Sequence, residues 1–194
     1  NSINVGNADI KGALHVGPNG SANIGPNGSV GDSAWVNSGT TGVQGGYYYN
    51  DVNMLFPDAE LPVTGWLPAI KASTKINGVT YDYVINSGGD YIVDTFNNIY
   101  VASNITVRIR TDKSVSAAVG QIYLAKNANV QFYMNAPSFA MRAVVNENAN
   151  ASSFCYFGTR LNTSLSLSGN DTFVGCIYAP EANVSLGGGG SSNY

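Results

Sequence analysis

Charge is the scarcest property of this sequence. Asp, Glu, Lys and Arg make up 11% of its 194 residues, against about 25% in an average soluble domain. The nine basic residues are scattered, and Arg108 and Arg110 are their one close pair. A surface that tracks phosphates needs clustered Lys and Arg, so nucleic acid is excluded as a partner. No apolar run approaches the roughly 20 residues of a membrane helix, so no membrane insertion of this segment is expected. One histidine and two cysteines leave little material for nucleophilic catalysis or a zinc site. The chain starts at Asn1 without a Met and reads as a processed or excised piece.

What replaces the charge is Asn, Ser, Thr and 23 glycines, while 44% of residues remain hydrophobic and 11% aromatic. A chain that apolar does not lack the means to build a core. Gly and Asn tolerate the positive φ of tight turns and are weak helix formers, so the composition predicts many short strands joined by turns.

Two repeats specify how those strands are arranged. Val16-Gly17-Pro18-Asn19-Gly20-Ser21 recurs eight residues on as Ile24-Gly25-Pro26-Asn27-Gly28-Ser29. Pro presets φ and Asn-Gly accepts positive φ, so each copy is a strand end entering a turn. The longer repeat has an offset of 23 residues: Ile99 to Ile109 aligns without gaps on Ile122 to Phe132. A third copy starts at Ile177-Tyr178-Ala179 and continues through Ala182-Asn183-Val184. Each unit is a strand, a polar corner and an alternating strand such as Ile105-x-Val107-x-Ile109, with one face in and one out. Units of this length cannot bury their own apolar face, but stacked coils about 4.8 Å apart can. The pattern predicts an all-β, right-handed parallel β-helix, with Ile99, Ile122 and Ile177 at equivalent inward positions.

Residues 47–89 interrupt the rhythm. Tyr47-Tyr48-Tyr49 leads into a stretch punctuated by Pro57, Pro62 and Pro68, which lack ladder donors. Lys75 to Thr80 then carries the central Asn77-Gly78 of a type I′ hairpin. The expected organisation is therefore a single domain over 1–194: N-terminal coils over 1–46, an irregular lateral excursion with a hairpin over 47–89, and main coils over 90–194.

Gly28 to Trp35, Phe56-Pro57, Asn77 to Tyr83 and Gly175-x-Ile177-Tyr178-Ala179-Pro180-x-Ala182 resemble an uncharacterised domain family of exported bacterial proteins. These include large surface proteins of planctomycete and verrucomicrobial type, some beginning with a pilin-like methylated segment. The resemblance runs from about Ala8 to Tyr194. It implies a β-helix at the cell surface or outside the cell, and it supplies no catalytic residues. Members of the family continue past the position of Tyr194 with another strand-rich coil.

Few residues qualify as a site. Cys155 and Cys176 are 21 apart, close to one coil, and neighbouring parallel strands hold Cα atoms within disulfide range. They are either a disulfide or two reduced thiols stacked in the core. Without a nearby His they are not a metal centre, and no cofactor is expected. His15 sits in an alternating strand, where it points to solvent. Asp82, Asp90 and Asp94 invite comparison with pectin-degrading β-helices, whose hydrolysis needs two carboxylates about 5 to 9.5 Å apart. The Gly-His-Gly and Arg-x-Lys motifs of polygalacturonases are missing, however, and turn aspartates are the simpler reading. Tyr47, Tyr48, Tyr49 and Trp66 either stack on sugar rings or fix the excursion to the coil wall. The expectation is a non-catalytic structural or adhesive module whose partner is a cell-envelope polysaccharide or another surface protein. The alternative is a carbohydrate-binding or carbohydrate-active β-helix of pectin-lyase type.

Overall fold

The computed structural model describes residues 2–51, 56–115, 120–168 and 173–187; Tyr194, where the family resemblance ends, lies outside them. The chain divides into two compact units, Asn1–Phe56 and Pro57–Tyr194.

The first unit winds short strands round three walls. In chain order they are β1 (Ser2–Gly6), β2 (Asp9–Lys11), β3 (Leu14–His15), β4 (Ser21–Ile24), β5 (Ser29–Gly31), β6 (Gly42–Val43) and β7 (Tyr48–Tyr49), with a helix α1 (Ser33–Asn37) after β5. Strand β1 pairs with β4, β5 lies between β2 and β6, and β3 pairs with β7, all in parallel. The two Gly-Pro-Asn-Gly copies are closed turns, with Gly20 N–H donating to Gly17 O at 2.7 Å and Gly28 N–H to Gly25 O at 3.0 Å. They link β3 to β4 and β4 to β5, so they are successive corners of the winding chain. Gly28 is required where it stands, because a Cβ there would lie 2.4 Å from the Gly6 carbonyl oxygen. Helix α1 is started by Asp32, whose carboxylate accepts from Trp35 N–H at 2.8 Å.

The second unit has longer strands: β8 (Leu67–Pro68), β9 (Thr74–Ile76), β10 (Val79–Tyr81), β11 (Tyr83–Ile85), β12 (Gly89–Val93), β13 (Ile99–Val101), β14 (Thr106–Thr111), β15 (Gln121–Leu124), β16 (Asn129–Met134), β17 (Ser138–Met141), β18 (Ala143–Asn146), β19 (Phe154–Gly158), β20 (Ser164–Ser168), β21 (Cys176–Tyr178) and β22 (Asn183–Gly187). Wall A has the order β8-β12-β14-β16-β19-β21, wall B the order β11-β13-β15-β18, and wall C the order β17-β20-β22. All these pairings are parallel and in register. This is the stacked β-solenoid that the repeats predict. Within the 47–89 stretch, Tyr48–Tyr49, Leu67–Pro68 and Tyr83–Ile85 are wall strands, and the hairpin β9–β10 stands among them. Its Asn77 and Gly78 have φ of 48° and 87°, as a type I′ turn demands.

The core follows from register. Ile99, Ile122 and Val144 stack in wall B, and Ile109, Phe132 and Tyr156 in wall A, all fully or nearly fully buried. Each such side chain contributes about 1.5–3 kcal/mol by leaving water. Phe154 and Tyr156 point inward and Cys155 and Phe157 outward, which fixes the phase of a segment the sequence leaves ambiguous. Ile177 departs from expectation: it pairs with Tyr156 in wall A, and not with the Ile99–Ile122 row of wall B. In the earlier copies the motif spans walls B and A, as β13–β14 and β15–β16, whereas in the third copy it spans walls A and C, as β21–β22.

Corners are held by polar groups. Asn104, Asn127 and Ala149 take the left-handed conformation at successive turns between walls B and A, with φ of 61°, 62° and 50°. The Asn127 side-chain amide donates to Asn104 Oδ1 at 2.9 Å, joining one coil to the next. Fully buried Asn162 donates to the carbonyls of Ala136, Pro137 and Ser164 and accepts from the Tyr156 hydroxyl at 2.8 Å. Burial pushes the Tyr156 phenol far up, so it stays a neutral donor.

Candidate functional site

In a parallel coil every residue of a wall stands directly above its equivalent, so the outer surface is a set of vertical rows. One row of wall A reads Asp90, Arg108, Gln131, Cys155, Cys176; the other includes Ile92, Arg110, Tyr133, Phe157 and Tyr178. On wall B, Tyr100 and Tyr123 share a row with Val84 and Val145. Any site on the second unit must be built from these rows or from the corners between them.

The acidic residues do not converge. Asp90 is clamped by Arg108, with Nε to Oδ1 at 2.6 Å and Nη2 to Oδ2 at 2.9 Å. Such a two-point pair occupies both carboxylate oxygens. Asp94 accepts from its neighbour Thr95 N–H at 2.9 Å, and Asp82 accepts from Asn97 N–H, so both are turn aspartates. Asp112 is drawn below the usual carboxylate range. Burial alone raises it, but hydrogen bonds from Arg110 and Asn135 outweigh that. A cleft of about 210 Å³ is lined by Lys71, Asp82, Thr95, Phe96, Asn97, Ser114 and Val115. Its charged groups are already engaged: Lys71 Nζ donates to Thr95 O at 3.0 Å, and Asp82 holds Asn97. Among the described residues no three His, Cys, Asp or Glu side chains gather as a metal site would require.

The aromatic residues mostly spend their faces on one another. Tyr100 and Tyr123 stack at 5.3 Å between centroids, and Tyr81 of the hairpin packs edge-on to both. Tyr123 donates to Glu147, and its phenol is pushed up to about 12 by that hydrogen bond and then by burial. Tyr133 stacks on Phe157 at 5.0 Å. Trp66 meets Tyr133 edge-on at 6.1 Å and donates its indole N–H to Pro62 O. The Tyr178 hydroxyl donates to Pro57 O at 2.5 Å. Residues 57–66 thus form a strap that climbs the outside of wall A from the rung of Tyr178 to that of Tyr133 and enters the coil as β8. Trp66 is a wall contact on the strap.

In the first unit, Tyr48 donates to Gly20 O at 3.3 Å and is half-buried, while Tyr47 closes the turn before β7, its N–H donating to Gln44 O at 3.0 Å. Tyr49 is different. It is 40% exposed, and one ring face lies on His15 at 4.7 Å. His15 Nδ1 is 2.7 Å from Asp51 Oδ1. His15 is on the outer face, as its alternating strand predicts, but sequence alone gives no sign of its pairing with Tyr49, 34 residues away.

Cys155 and Cys176 are brought together. They are in-register partners on β19 and β21, both on the outside of wall A, half-buried and exposed respectively, and both are free thiols. Neither is in the core, because the inward positions of these strands belong to Phe154, Tyr156 and Ile177.

Comparison with known proteins adds one identification. No curated protein and no solved structure matches the chain. A family model described as "Domain of unknown function (DUF7305)" matches residues 57–193; residues 8–56, which also carry the resemblance read from sequence, fall outside the match. The matched segment takes in all three walls of the second unit, and on that ground the chain belongs to the DUF7305 family.

Proposed function

We propose that this chain is a non-catalytic structural or adhesive module of a bacterial cell-surface or exported protein. One observation carries the reading: the outward groups of the second unit pair with each other along the rows. Arg108 lies on Asp90, Tyr100 on Tyr123 and Tyr133 on Phe157. Catalysis of hydrolysis or elimination needs acid and base groups converging on one cleft with their protons free to move. A wall whose polar groups satisfy one another is suited to rigidity and display. The resemblance to surface proteins of planctomycete and verrucomicrobial type, some with pilin-like starts, supports export of the parent protein. Its partner in this reading is a cell-envelope polysaccharide or another surface protein. Purified chain should release no product from pectin, alginate or envelope polysaccharide, with or without Ca²⁺, and antibody should label it on intact cells. Turnover that vanished in Asp90→Asn or Asp94→Asn would overturn the reading.

Tyr49 favours a second reading, carbohydrate binding, because it is an exposed ring beside the His15–Asp51 pair. Fluorescence titration with envelope polysaccharide would then show saturable binding that Tyr49→Ala removes.

A further inference from the structure

We propose that Cys155 and Cys176 close a reversible disulfide on the outer face of wall A, clamping β21 to the coil beneath it. The inference stands on geometry and does not rest on the proposed cell-surface role. The two residues are register partners on adjacent parallel strands, which places their Cα atoms about 4.8 Å apart, inside the range a disulfide spans without backbone movement. Both side chains leave the same face of the sheet, since register partners on adjacent strands point the same way. Among the described residues, β21 is an edge of wall A, with β19 as its partner there. Its three residues are thus held in the wall from one side, and a bond from Cys176 to Cys155 ties them down.

The exposures of the two sulfurs set the order of events. Cys176 is exposed, whereas Cys155 is half-buried and donates to Ser152 O at 3.6 Å. Burial, then the neighbouring Cys176, pushes the Cys155 thiol up, so it remains protonated longer. With a low-molecular-weight disulfide such as oxidised glutathione as oxidant, the Cys176 thiol loses its proton to water. Its thiolate attacks one sulfur of the oxidant, forming a mixed disulfide and expelling one glutathione thiolate. Cys155 then loses its proton and attacks the Cys176 sulfur, expelling the second glutathione. The two protein thiols lose two electrons and two protons in all, and the oxidant becomes two thiols.

The test uses the full chain incubated with excess oxidised glutathione at pH 8, quenched in acid and mapped by mass spectrometry. The expected product is an intramolecular 155–176 link with no retained glutathione. Cys155→Ser should instead accumulate glutathione on Cys176, because the resolving thiol is gone. Amide exchange at 176–178 should slow about tenfold or more in the oxidised wild type and recover on reduction, since the link removes the local opening of that strand. Three results would overturn the proposal: a stable glutathione adduct on the wild type, a disulfide-linked dimer as main product, or a 155–176 link that leaves exchange in β21 unchanged.

Discussion

The two units of this chain solve the same problem with different materials. Both wind parallel strands into coils, yet the first has strands of two to five residues, and among the described residues its buried apolar side chains are Val16, Val30 and Val36. It compensates by bringing backbones together. Gly25 N–H donates to Gly6 O at 2.6 Å, and no Cβ fits at Gly25 or Gly28. The second unit fills its interior with stacked Ile, Phe, Tyr, Met and Leu. A coil can therefore be held by what is absent from its corners or by what is present in its core, and the two units should fail differently when altered.

The largest effect is expected in the filled core. Ile122→Asp places a carboxylate between Ile99 and Val144 with no partner, and should cost more than about 4 kcal/mol. Thermal melting would then lose the cooperative transition of the second unit; near-normal melting would show that the Ile99–Ile122–Val144 row is not the core. Next comes Asn162→Ala, which strands the carbonyls of Ala136, Pro137 and Ser164 and the Tyr156 hydroxyl. A loss of about 2–4 kcal/mol in urea denaturation is expected. The first unit should feel a single methyl: Gly28→Ala drives a Cβ against Gly6 O and should cost about 1–3 kcal/mol, read as faster amide exchange in β1 and β4. A gain of about 1 kcal/mol is expected from Ala149→Gly, since glycine carries no penalty at a φ of 50°. The smallest effect concerns pH. The Tyr123 phenol is raised in the folded state, so its contribution is fully present below the ordinary tyrosine pKa near 10 and is lost as pH rises through about 12. Ultraviolet titration should show the Tyr123 transition shift downward in Glu147→Gln.

Much of this was legible in the sequence. The 23-residue repeat revealed the coil because both full copies place β-branched and aromatic residues on alternate positions, and alternation has one structural meaning. Asn77-Gly78 revealed its hairpin for an equally local reason. Assignment of Ile177 to a wall was not legible, because walls A and B use the same residue types and the same strand–corner–strand motif serves walls B and A in one coil and walls A and C in another. The Cys155–Cys176 pairing could be read from spacing, but their outward direction depended on the phase of Phe154 to Phe157, where four non-polar side chains in succession offer no alternation. The Tyr49–His15 stack joins residues whose separation spans α1, so no periodicity relates them. The strap was readable only as an interruption: its prolines exclude it from a sheet, but nothing local says which wall it covers.

That strap also works as a latch within the second unit. Pro57 is bonded to Tyr178 on β21, while Trp66 of the same segment packs on Tyr133 of β16. Residues 57–66 therefore fasten together strands two rungs apart in wall A. Fraying of β21 has to release the Pro57 contact, and lifting of residues 57–66 removes the Tyr178 contact from β21. The two segments thus open as one cooperative piece.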